Sequence, residues 1–309
     1  MSARPVVAIA QPHLAGLVPL LAPRYDPIAL WQADDATRAG EARAIVVAGE
    51  FVVDRAAAEA MPALGLIACF TVGYDGIDLG WARSRGLAVS HAVGTNQEDV
   101  ADHAIGLVLA ERRRIVEGDV AVRGGGWRAD AKTVTRSLNG ARIGIVGLGA
   151  IGEAVARRAD AMRMEVAWWG PKPRPEACWP RADSLLALAE ASDILVVAAR
   201  AHDGNRGLVS AEVIAALGPR GLLVNVARGS LVDEDALIAA LRDGTLGGAA
   251  LDVFAREPTP AERWRDVPRC VLTPHTAGAT DAAVAEMAAQ LLANLDAFFA
   301  GGPLPGAVD

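Results

Sequence analysis

Short apolar runs, rich in β-branched residues, alternate along the whole chain with alanine-rich stretches. Because the runs place apolar residues on both sides of the chain, they predict strands that are buried on both faces of a parallel sheet, and the alanine-rich stretches predict the helices that cover it. The predicted strands are Val6–Ala10, Ala44–Ala48, Leu66–Phe70, Ala88–Ser90, Arg142–Val146, Glu165–Trp169, Ile194–Ala198, Leu222–Asn225 and Val271–Leu272. The predicted helices are Glu98–Arg114, Glu153–Met162, Ser184–Ala189, Glu234–Arg242 and Ala282–Phe299. The pattern favours an α/β fold and excludes an all-β fold.

Two such α/β units fit a chain of 309 residues, at roughly 150 residues per domain. One unit precedes and one follows about residue 100, where the long predicted helix Glu98–Arg114 would connect them. The glycine-rich segment Gly124–Trp127 comes after this helix and ends any helical stretch. We expect the last helix, Ala282–Phe299, to pack on the first unit.

Charge and cysteine content narrow the possible functions. The chain has 30 Lys plus Arg against 37 Asp plus Glu, a net charge of −7, which disfavours binding to nucleic acid. Its three cysteines are far apart and show no CxxC spacing, as expected of a protein in a reducing cytoplasm. No uninterrupted apolar stretch reaches the ~18 residues of a membrane span. The sequence therefore predicts a soluble cytoplasmic protein.

A glycine-rich turn follows the predicted strand Arg142–Val146 and opens the next alanine-rich helix. It contains Gly147, Leu148, Gly149, Ala150, Ile151 and Gly152. In this spacing the first glycine allows a tight turn, the second lets a pyrophosphate approach the backbone, and the third lets the helix pack closely on the strand. The free N–H groups at the start of the helix would then face the pyrophosphate. The context predicts a dinucleotide site, and a packing turn without a ligand is the alternative.

The end of the next predicted strand, Glu165–Trp169, determines which dinucleotide such a site prefers. An Asp or Glu at this position would bind the 2′-hydroxyl of the adenine ribose, but this chain continues with Gly170, Pro171, Lys172, Pro173 and Arg174. Lys172 and Arg174 can instead pair with a 2′-phosphate. The sequence therefore favours NADPH over NADH, and a solvated basic loop is the alternative.

Three ionisable residues in the last third of the chain could carry chemistry. Arg228 follows the predicted buried strand Leu222–Asn225, at the position where open α/β sheets bind ligands, and an arginine suits bidentate binding of a carboxylate. Glu257 and His275 follow further along. Residue chemistry alone allows an anion clamp, a carboxylate partner and a proton donor. A structural arginine and a paired carboxylate, both common in proteins, are the alternative.

Several of these motifs, in their order along the chain, resemble those of the D-isomer-specific 2-hydroxyacid dehydrogenases. The resemblance covers essentially the whole chain, and the segments that carry it are Phe70–Asp78, Gly147–Gly152, Val224–Leu237, Gly247–Pro258 and Thr273–Thr280. The segment Asp99–Leu107, with the Gly-Trp loop after it, is most similar to the glyoxylate/hydroxypyruvate reductase and hydroxyphenylpyruvate reductase branch. Members of that branch commonly use NADPH, in agreement with the interpretation of Lys172 and Arg174.

The resemblance implies a role for each candidate residue in catalysis. Arg228 would hold a 2-oxo acid and polarise its carbonyl, and His275 would donate a proton to the carbonyl oxygen. Glu257 would orient the His275 ring and raise its pKa. The N–H groups of Val72 and Gly73 would bind the substrate carboxylate.

The resemblance also implies a cofactor site, a domain arrangement and an activity. Leu148 to Ile151 would hold the pyrophosphate, Gly170, Pro171 and Lys172 would meet the adenosine end, and Val226 and Asp252 would lie near the nicotinamide. A substrate-binding domain (1–97 plus 284–309) would contain an inserted dinucleotide-binding domain (98–283), both Rossmann-like. The expected activity is NADPH-dependent reduction of glyoxylate, hydroxypyruvate or an aryl-pyruvate by a homodimer.

Two features qualify these expectations. The predicted strand Ile194–Ala198 leads into a loop, Ala199–Asp203, that lacks the family's Pro-Leu-Thr-type turn, which leaves cofactor contacts there open. His103 lies on the long predicted helix, but no metal-binding histidine spacing accompanies it, so an exposed or capped helix residue is expected rather than a metal ligand. A dinucleotide-sensing binding protein, like the C-terminal-binding-protein corepressors that resemble this family, is the alternative to an enzyme.

Overall fold

The computed structural model of the protein describes residues 4–127 and 134–308. The chain divides into two compact units. The first unit contains the chain up to Asn96 and again from Asp281 onward, and the second unit is Gln97–Thr280. Thus the second unit interrupts the first along the sequence, at boundaries 96/97 and 280/281.

The first unit contains a parallel sheet of five strands. The strands are β1 (Val6–Ile9), β2 (Asp26–Ala29), β3 (Ala44–Val47), β4 (Leu66–Cys69) and β5 (Ala88–Ser90). Their order in the sheet is β2-β1-β3-β4-β5, and every pairing is parallel. The helices of this unit are α1 (Leu17–Leu21), α2 (Ala33–Ala36), α3 (Arg55–Glu59) and α4 (Leu79–Ser84), with the C-terminal helix, Asp281–Ala300, described below.

The second unit contains a parallel sheet of six strands. The strands are β6 (Arg142–Val146), β7 (Glu165–Trp169), β8 (Ile194–Val197), β9 (Leu222–Asn225), β10 (Gly248–Leu251) and β11 (Cys270–Leu272). Their order is β11-β10-β9-β8-β6-β7. The helices are α5 (Gln97–Arg112), α6 (Ile115–Arg123), α7 (Ala150–Ala161), α8 (Leu185–Ala191), α9 (Ala211–Leu217), α10 (Glu234–Arg242) and α11 (Ala261–Trp264).

Both faces of each sheet are covered, as the continuous apolar runs predict. In the second unit, Ile194 and Val196 of β8 belong to one apolar core, whereas Leu195 and Val197 of the same strand belong to another on the opposite face. Because successive side chains of a strand point to opposite faces, a strand between two cores must be apolar throughout. The predicted α/β fold with two parallel sheets is confirmed.

The C-terminal helix α12 (Asp281–Ala300) packs its apolar side into the first unit. Leu291 and Leu295 are almost fully buried in a core that also includes Val46 and Leu66 of the sheet. By length and composition alone, α12 is also the one helix among the described residues that could cross a membrane. Packing against the sheet accounts for part of that apolar character, since 28% of the apolar stretch is buried.

The structure corrects three expectations about secondary structure. Two strands, β2 and β10, were not predicted, because their sequences Asp-Pro-Ile-Ala and Gly-Ala-Ala-Leu contain residues of low β propensity. The predicted helix Glu98–Arg114 ends at Arg112, and a new helix, α6, begins at Ile115. Arg114 between them has a φ of 50°, in the left-handed region, which breaks the helix.

Candidate active site

The turn after β6 brings three glycines into places where side chains would collide or would block access. Gly147 has a φ of 91°, and a Cβ on it would lie 2.6 Å from the Cα of Ala199, which follows β8. A Cβ on Gly152 would lie 2.0 Å from the carbonyl oxygen of Gly147. A Cβ on Gly149 would meet nothing within 4 Å, so the backbone there borders open space. The first and third glycines therefore serve packing, and the second leaves the backbone accessible.

Helix α7 begins directly after this turn with unoccupied backbone donors. Gly149 is the residue before the helix, and no side chain caps the helix start. The first N–H groups of an α-helix have no partner within the helix, and they attract anions together with the helix dipole. These donors, beside the open space at Gly149, fit the pyrophosphate of a dinucleotide.

The loop after β7 carries the residues at the expected adenosine end. Gly170 is buried, and its carbonyl accepts a hydrogen bond of 2.8 Å from Nη2 of Arg181, whereas Lys172 is exposed. Arg174 donates to Oε1 of Glu176 at 2.6 Å and also to the carbonyl of Leu148 in the glycine-rich turn. Arg174 thus joins the two loops, and its pairing with Glu176 lowers the pKa of that carboxyl group. No acid stands at the strand tip itself.

His275 and Glu257 form a charged pair in the second unit. His275 Nδ1 lies 2.6 Å from Oε2 of Glu257, whose other oxygen accepts a hydrogen bond of 2.8 Å from the N–H of Phe254. The hydrogen bond to Glu257 raises the pKa of His275 against the opposing effect of burial. Burial acts to raise the pKa of Glu257, but the hydrogen bonds from His275 and Phe254 and the charges of His275 and Arg228 outweigh it, and that pKa is lowered. The pair therefore keeps His275 protonated to higher pH, with Nε2 as the other ring nitrogen.

The backbone of His275 is held in an unusual conformation. Its φ is 55°, a left-handed value that costs a non-glycine residue about 1 kcal/mol or more. The N–H of His275 donates to the carbonyl of Asp252 at 2.8 Å and lies 3.1 Å from that of Thr273. Strained residues of this kind persist only where their surroundings hold them.

Asp252, which follows β10, supplies most of that support. Its carboxylate is 1% exposed, and it accepts hydrogen bonds from the hydroxyl of Thr273 at 2.6 Å and from the N–H groups of Thr276 and Ala277 at 2.9 Å each. A buried carboxylate requires such donors. Asp252 therefore organises the turn that carries His275. Val226, the other residue expected near the nicotinamide, is buried directly after β9.

His103 extends this group of polar residues, and it is partly buried, not exposed as one of the two expectations had it. Its Nε2 lies 2.9 Å from Thr273 Oγ1 and 3.5 Å from Asp252 Oδ1, and its side chain is only 26% exposed. The sequence gives no signal for this contact, because 170 positions separate His103 from Thr273 along the chain.

Arg228 lies in a turn that the last residue of β9 shapes. The side chain of the buried Asn225 accepts from the N–H of Ala227 at 3.1 Å and donates to the carbonyl of Arg228 at 3.0 Å. Nη1 of Arg228 donates to the carbonyl of Ala227 at 2.8 Å. The charge of Arg228 acts on both His275 and Glu257, so the structure brings these three predicted residues together.

Two further residues that the sequence did not single out link the Arg228 turn to the Glu257 loop. Gly229 packs so closely on this loop that a Cβ would lie 1.8 Å from the carbonyl carbon of Phe254. Glu234, which is buried, accepts from the N–H of Ala255 and, at 3.0 Å, from Nε of Arg263. These contacts fix the backbone that presents Glu257.

The first unit has its own candidate turn at Val72 and Gly73, after β4. Among the described residues, neither N–H group donates a hydrogen bond. The carbonyl of Val72 lies 2.8 Å from Nδ1 of His91, and Thr71 Oγ1 accepts from the N–H of Gly49 at 2.9 Å. A Cβ on Gly49 would lie 2.1 Å from the carbonyl oxygen of Gly73. The contacts that hold this turn therefore involve its carbonyl groups. The N–H groups of Val72 and Gly73 remain to donate to an anion.

The loop after β8 is ordered by its own polar groups. His202 Nδ1 accepts from the N–H of Gly204 at 3.1 Å, while Asn205 accepts from the N–H of His202 at 2.8 Å. This reciprocal capping uses the His202 side chain locally. Within residues 4–127 and 134–308, no group of three His, Cys, Asp or Glu side chains could hold a metal ion.

Comparisons with known proteins identify the family to which the chain belongs. The model of the family described as D-isomer specific 2-hydroxyacid dehydrogenase, NAD binding domain, matches residues 105–277. The chain is 40% identical to a hydroxyphenylpyruvate reductase of Plectranthus scutellarioides over 87% of this chain and 86% of that one. It is 39% identical to a glyoxylate/hydroxypyruvate reductase of Arabidopsis thaliana, again over 87% and 86% of the two chains.

Solved structures show the same relationship. A 2-hydroxyacid dehydrogenase of Ketogulonicigenium vulgare superposes with a TM-score of 0.92 at 38% identity, covering 100% of this chain and 99% of that one. An NADPH-dependent glyoxylate/hydroxypyruvate reductase of Sinorhizobium meliloti, solved with NADP and malonate, has a TM-score of 0.90 at 35% identity and covers 99% and 97%. The chain belongs to the D-isomer specific 2-hydroxyacid dehydrogenase family, whose oxidoreductases use a nicotinamide dinucleotide and act on small 2-oxo and 2-hydroxy acids.

Proposed function

We propose that this protein reduces a small 2-oxo acid to the D-2-hydroxy acid with NADPH, in the cytoplasm. Glyoxylate and hydroxypyruvate are the first substrates to consider, and hydroxyphenylpyruvate is the aryl alternative. The single observation that carries the proposal is the bond of 2.6 Å between His275 and Glu257, with the charge of Arg228 acting on both residues. The relatives named as reductases of these acids support the substrate class.

His275 is the proton donor in this proposal. A carbonyl that receives a hydride becomes an alkoxide, and a proton on its oxygen completes the alcohol. Because Nδ1 of His275 is bound to Glu257, Nε2 is the nitrogen that gives up the proton. Glu257 orients the ring and keeps it protonated near neutral pH, which is the task of a general acid. The resulting negative charge of the pair is relieved when His275 is protonated again.

Arg228 and the turn at Val72 and Gly73 would recognise the substrate. The guanidinium of Arg228 would contact the 2-oxo acid and stabilise negative charge as it develops on the carbonyl oxygen. The N–H groups of Val72 and Gly73, which have no other acceptor among the described residues, would bind the carboxylate, as backbone donors of a turn can. Both interactions select for 2-oxo acids over simple ketones.

The second unit would hold the dinucleotide through its glycine-rich turn. A bound reduced nicotinamide supplies the hydride. Leu148, Gly149, Ala150 and Ile151 would present N–H groups to the pyrophosphate between the close-packed Gly147 and Gly152. Val226 and Asp252 would border the nicotinamide, and Gly170 and Pro171 would border the adenosine.

The preference for NADPH would come mainly from Lys172. Its ammonium is exposed, and no acid stands between it and the end of β7. Arg174 would contribute less directly, because it already pairs with Glu176 at 2.6 Å and holds the loop to Leu148. The NADPH-dependent relative of known structure supports the choice of NADPH as the cofactor.

We also propose a homodimer, which would cover an apolar face of α6. No side chain of α6 is buried, and Ile115, Val116, Val120 and Val122 are 54%, 49%, 65% and 54% exposed. An exposed apolar surface of this kind is typical of a protein–protein interface. Light scattering on the wild-type protein should give the mass of a dimer, and V120D should shift the mass toward that of a monomer. A wild-type monomer at micromolar concentration would contradict the proposal.

The activity is tested by the loss of absorbance that accompanies oxidation of the reduced nicotinamide. The substrates are glyoxylate, hydroxypyruvate, pyruvate and 4-hydroxyphenylpyruvate, each with NADPH and with NADH. We expect turnover with at least one of these acids and a higher kcat/KM for NADPH. Tight dinucleotide binding without any turnover would instead indicate a dinucleotide-sensing protein of the corepressor type.

A further inference from the structure

A chain of polar side chains connects helix α5 to the turn that carries His275. Nε2 of His103 lies 2.9 Å from Oγ1 of Thr273, and that hydroxyl lies 2.6 Å from Oδ1 of Asp252. Asp252 is 1% exposed, so this chain ends in the interior of the second unit. Among the described contacts of Asp252 and Thr273, His103 is the only titratable side chain that comes from α5.

The positions of the protons follow from the chemistry of the three groups. An ionised carboxylate only accepts hydrogen bonds, and a threonine hydroxyl has a single proton to donate. The short contact between Thr273 and Asp252 therefore uses the hydroxyl proton, and the threonine oxygen is left to accept. His103 must then donate from Nε2, so this ring nitrogen carries a proton. The direction of donation runs from His103 through Thr273 to Asp252.

Asp252 connects these hydrogen bonds to the turn that contains His275. Besides the Thr273 hydroxyl, its carboxylate accepts the N–H groups of Thr276 and Ala277, and its carbonyl accepts the N–H of His275. If the Thr273 hydroxyl turned away, Oδ1 of a buried carboxylate would lose its shortest hydrogen bond. The backbone around His275, which has a φ of 55°, would then be less firmly held by its hydrogen bonds to Asp252.

We infer that His103 is a positioning residue for the proton donor. It holds the Thr273 hydroxyl toward Asp252 and thereby keeps the turn from Thr273 to Ala277, with His275 in it, in its reactive conformation. His103 itself contacts neither the reacting atoms nor His275. The inference rests on the proposed function only for the statement that His275 donates the proton.

Three substitutions at His103 distinguish the effect of its hydrogen bond to Thr273 from the effect of its packing. In H103Q the side-chain amide can place its N–H where Nε2 stands, so the bond to Thr273 is kept. In H103N the amide nitrogen falls near the position of Nδ1 and is too short to reach Thr273. H103L fills the space without any donor. H103N and H103L should therefore share one phenotype, and H103Q should resemble the wild type.

The first readout needs neither substrate nor cofactor. Amide hydrogen exchange of the full chain reports on the N–H groups of Thr276 and Ala277. We expect exchange at these two amides to be about tenfold faster in H103L and H103N, the effect of losing one hydrogen bond. Exchange in H103Q should lie within about twofold of the wild type.

The second readout is steady-state kinetics with the best 2-oxo acid. We expect kcat to fall by about tenfold in H103L and H103N and to return in H103Q, with KM values and Tm little changed. T273V removes the same link, so adding H103L to T273V should cause no further loss. Equal losses in H103Q, H103N and H103L, or no change in any of them, would overturn the inference. A wild-type protein that reduces no 2-oxo acid would overturn the proposed function instead, while the exchange rates would still decide the role of His103.

Discussion

In each unit the candidate groups follow the carboxyl ends of strands in that unit's own parallel sheet. The two units nevertheless use different kinds of chemical group. In the first unit the turn after β4 offers backbone N–H groups, at Val72 and Gly73, and its carbonyl side is fixed by His91 and Gly49. In the second unit the turns after β9, β10 and β11 offer charged side chains, Arg228, Glu257 and His275.

This difference determines how each region can be damaged. A side-chain site loses its function when one side chain is truncated, even if the backbone stays in place. A backbone site is insensitive to truncation of its own residues, because their N–H groups remain. It fails only when a neighbour pushes the turn aside. The comparison therefore predicts opposite responses to the same kind of mutation.

The largest effect is expected for H275A. Removing the proton donor should lower kcat by about a thousandfold, as for other general acids, with little change in the affinity for NADPH. Stopped-flow and steady-state measurements with the best 2-oxo acid would show this. H202A is the matched control, because His202 only caps a local turn, and it should keep kcat within about twofold. A kcat for H275A close to that of the wild type would remove His275 from the chemistry.

In the first unit the equivalent damage requires a substitution that moves the backbone. A Cβ at Gly49 would lie 2.1 Å from the carbonyl oxygen of Gly73, so G49A should displace the turn. We expect kcat/KM for the 2-oxo acid to fall by up to about a hundredfold, mostly through KM. V72A, which keeps every N–H group, should change kcat/KM by less than about threefold.

A second control separates displacement of this turn from a general effect of adding a methyl group. A Cβ at Gly16 would meet nothing within 4 Å, so G16A should behave like the wild type in kcat/KM. If G49A also left KM unchanged, the turn at Val72 and Gly73 would not be the carboxylate site.

A smaller effect is expected at the adenosine end of the second unit. K172A should reduce the ratio of kcat/KM for NADPH to that for NADH by about tenfold, since one charge-assisted hydrogen bond contributes ~1.5 kcal/mol. R174A should loosen both loops and weaken the use of NADH as well, because Arg174 also binds the carbonyl of Leu148. An unaltered cofactor ratio in K172A would show that Lys172 does not contact a 2′-phosphate.

The fold was predictable where hydrophobicity alone decides it. Strands such as β8 and β9, which are apolar on both faces, are visible in the sequence at nearly their full length. The strand β10 was missed because Gly-Ala-Ala-Leu has little β propensity and becomes a strand only through pairing with β9 and β11. Tertiary pairing of this kind leaves no local trace.

The candidate site was predictable to the extent that its residues follow strands. Arg228 could be placed because it comes shortly after β9, and the glycine-rich turn because it lies between β6 and α7. The contact between His103 and Thr273 could not be predicted, because it depends on the packing of α5 against the sheet. The same holds for Gly49, whose importance depends on the close approach of Gly73.

The pH dependence of kcat/KM for reduction, compared between the wild type and E257Q, tests the central claim most directly. The bond to Glu257 raises the pKa of His275, and reduction needs the protonated ring, so the wild-type rate should fall only as pH rises through this raised pKa. In E257Q the acceptor is neutral, the pKa of His275 should drop, and the fall in rate should begin at lower pH. A fall at the same pH in both proteins would contradict the assignment of His275 and Glu257 as the proton-donating pair.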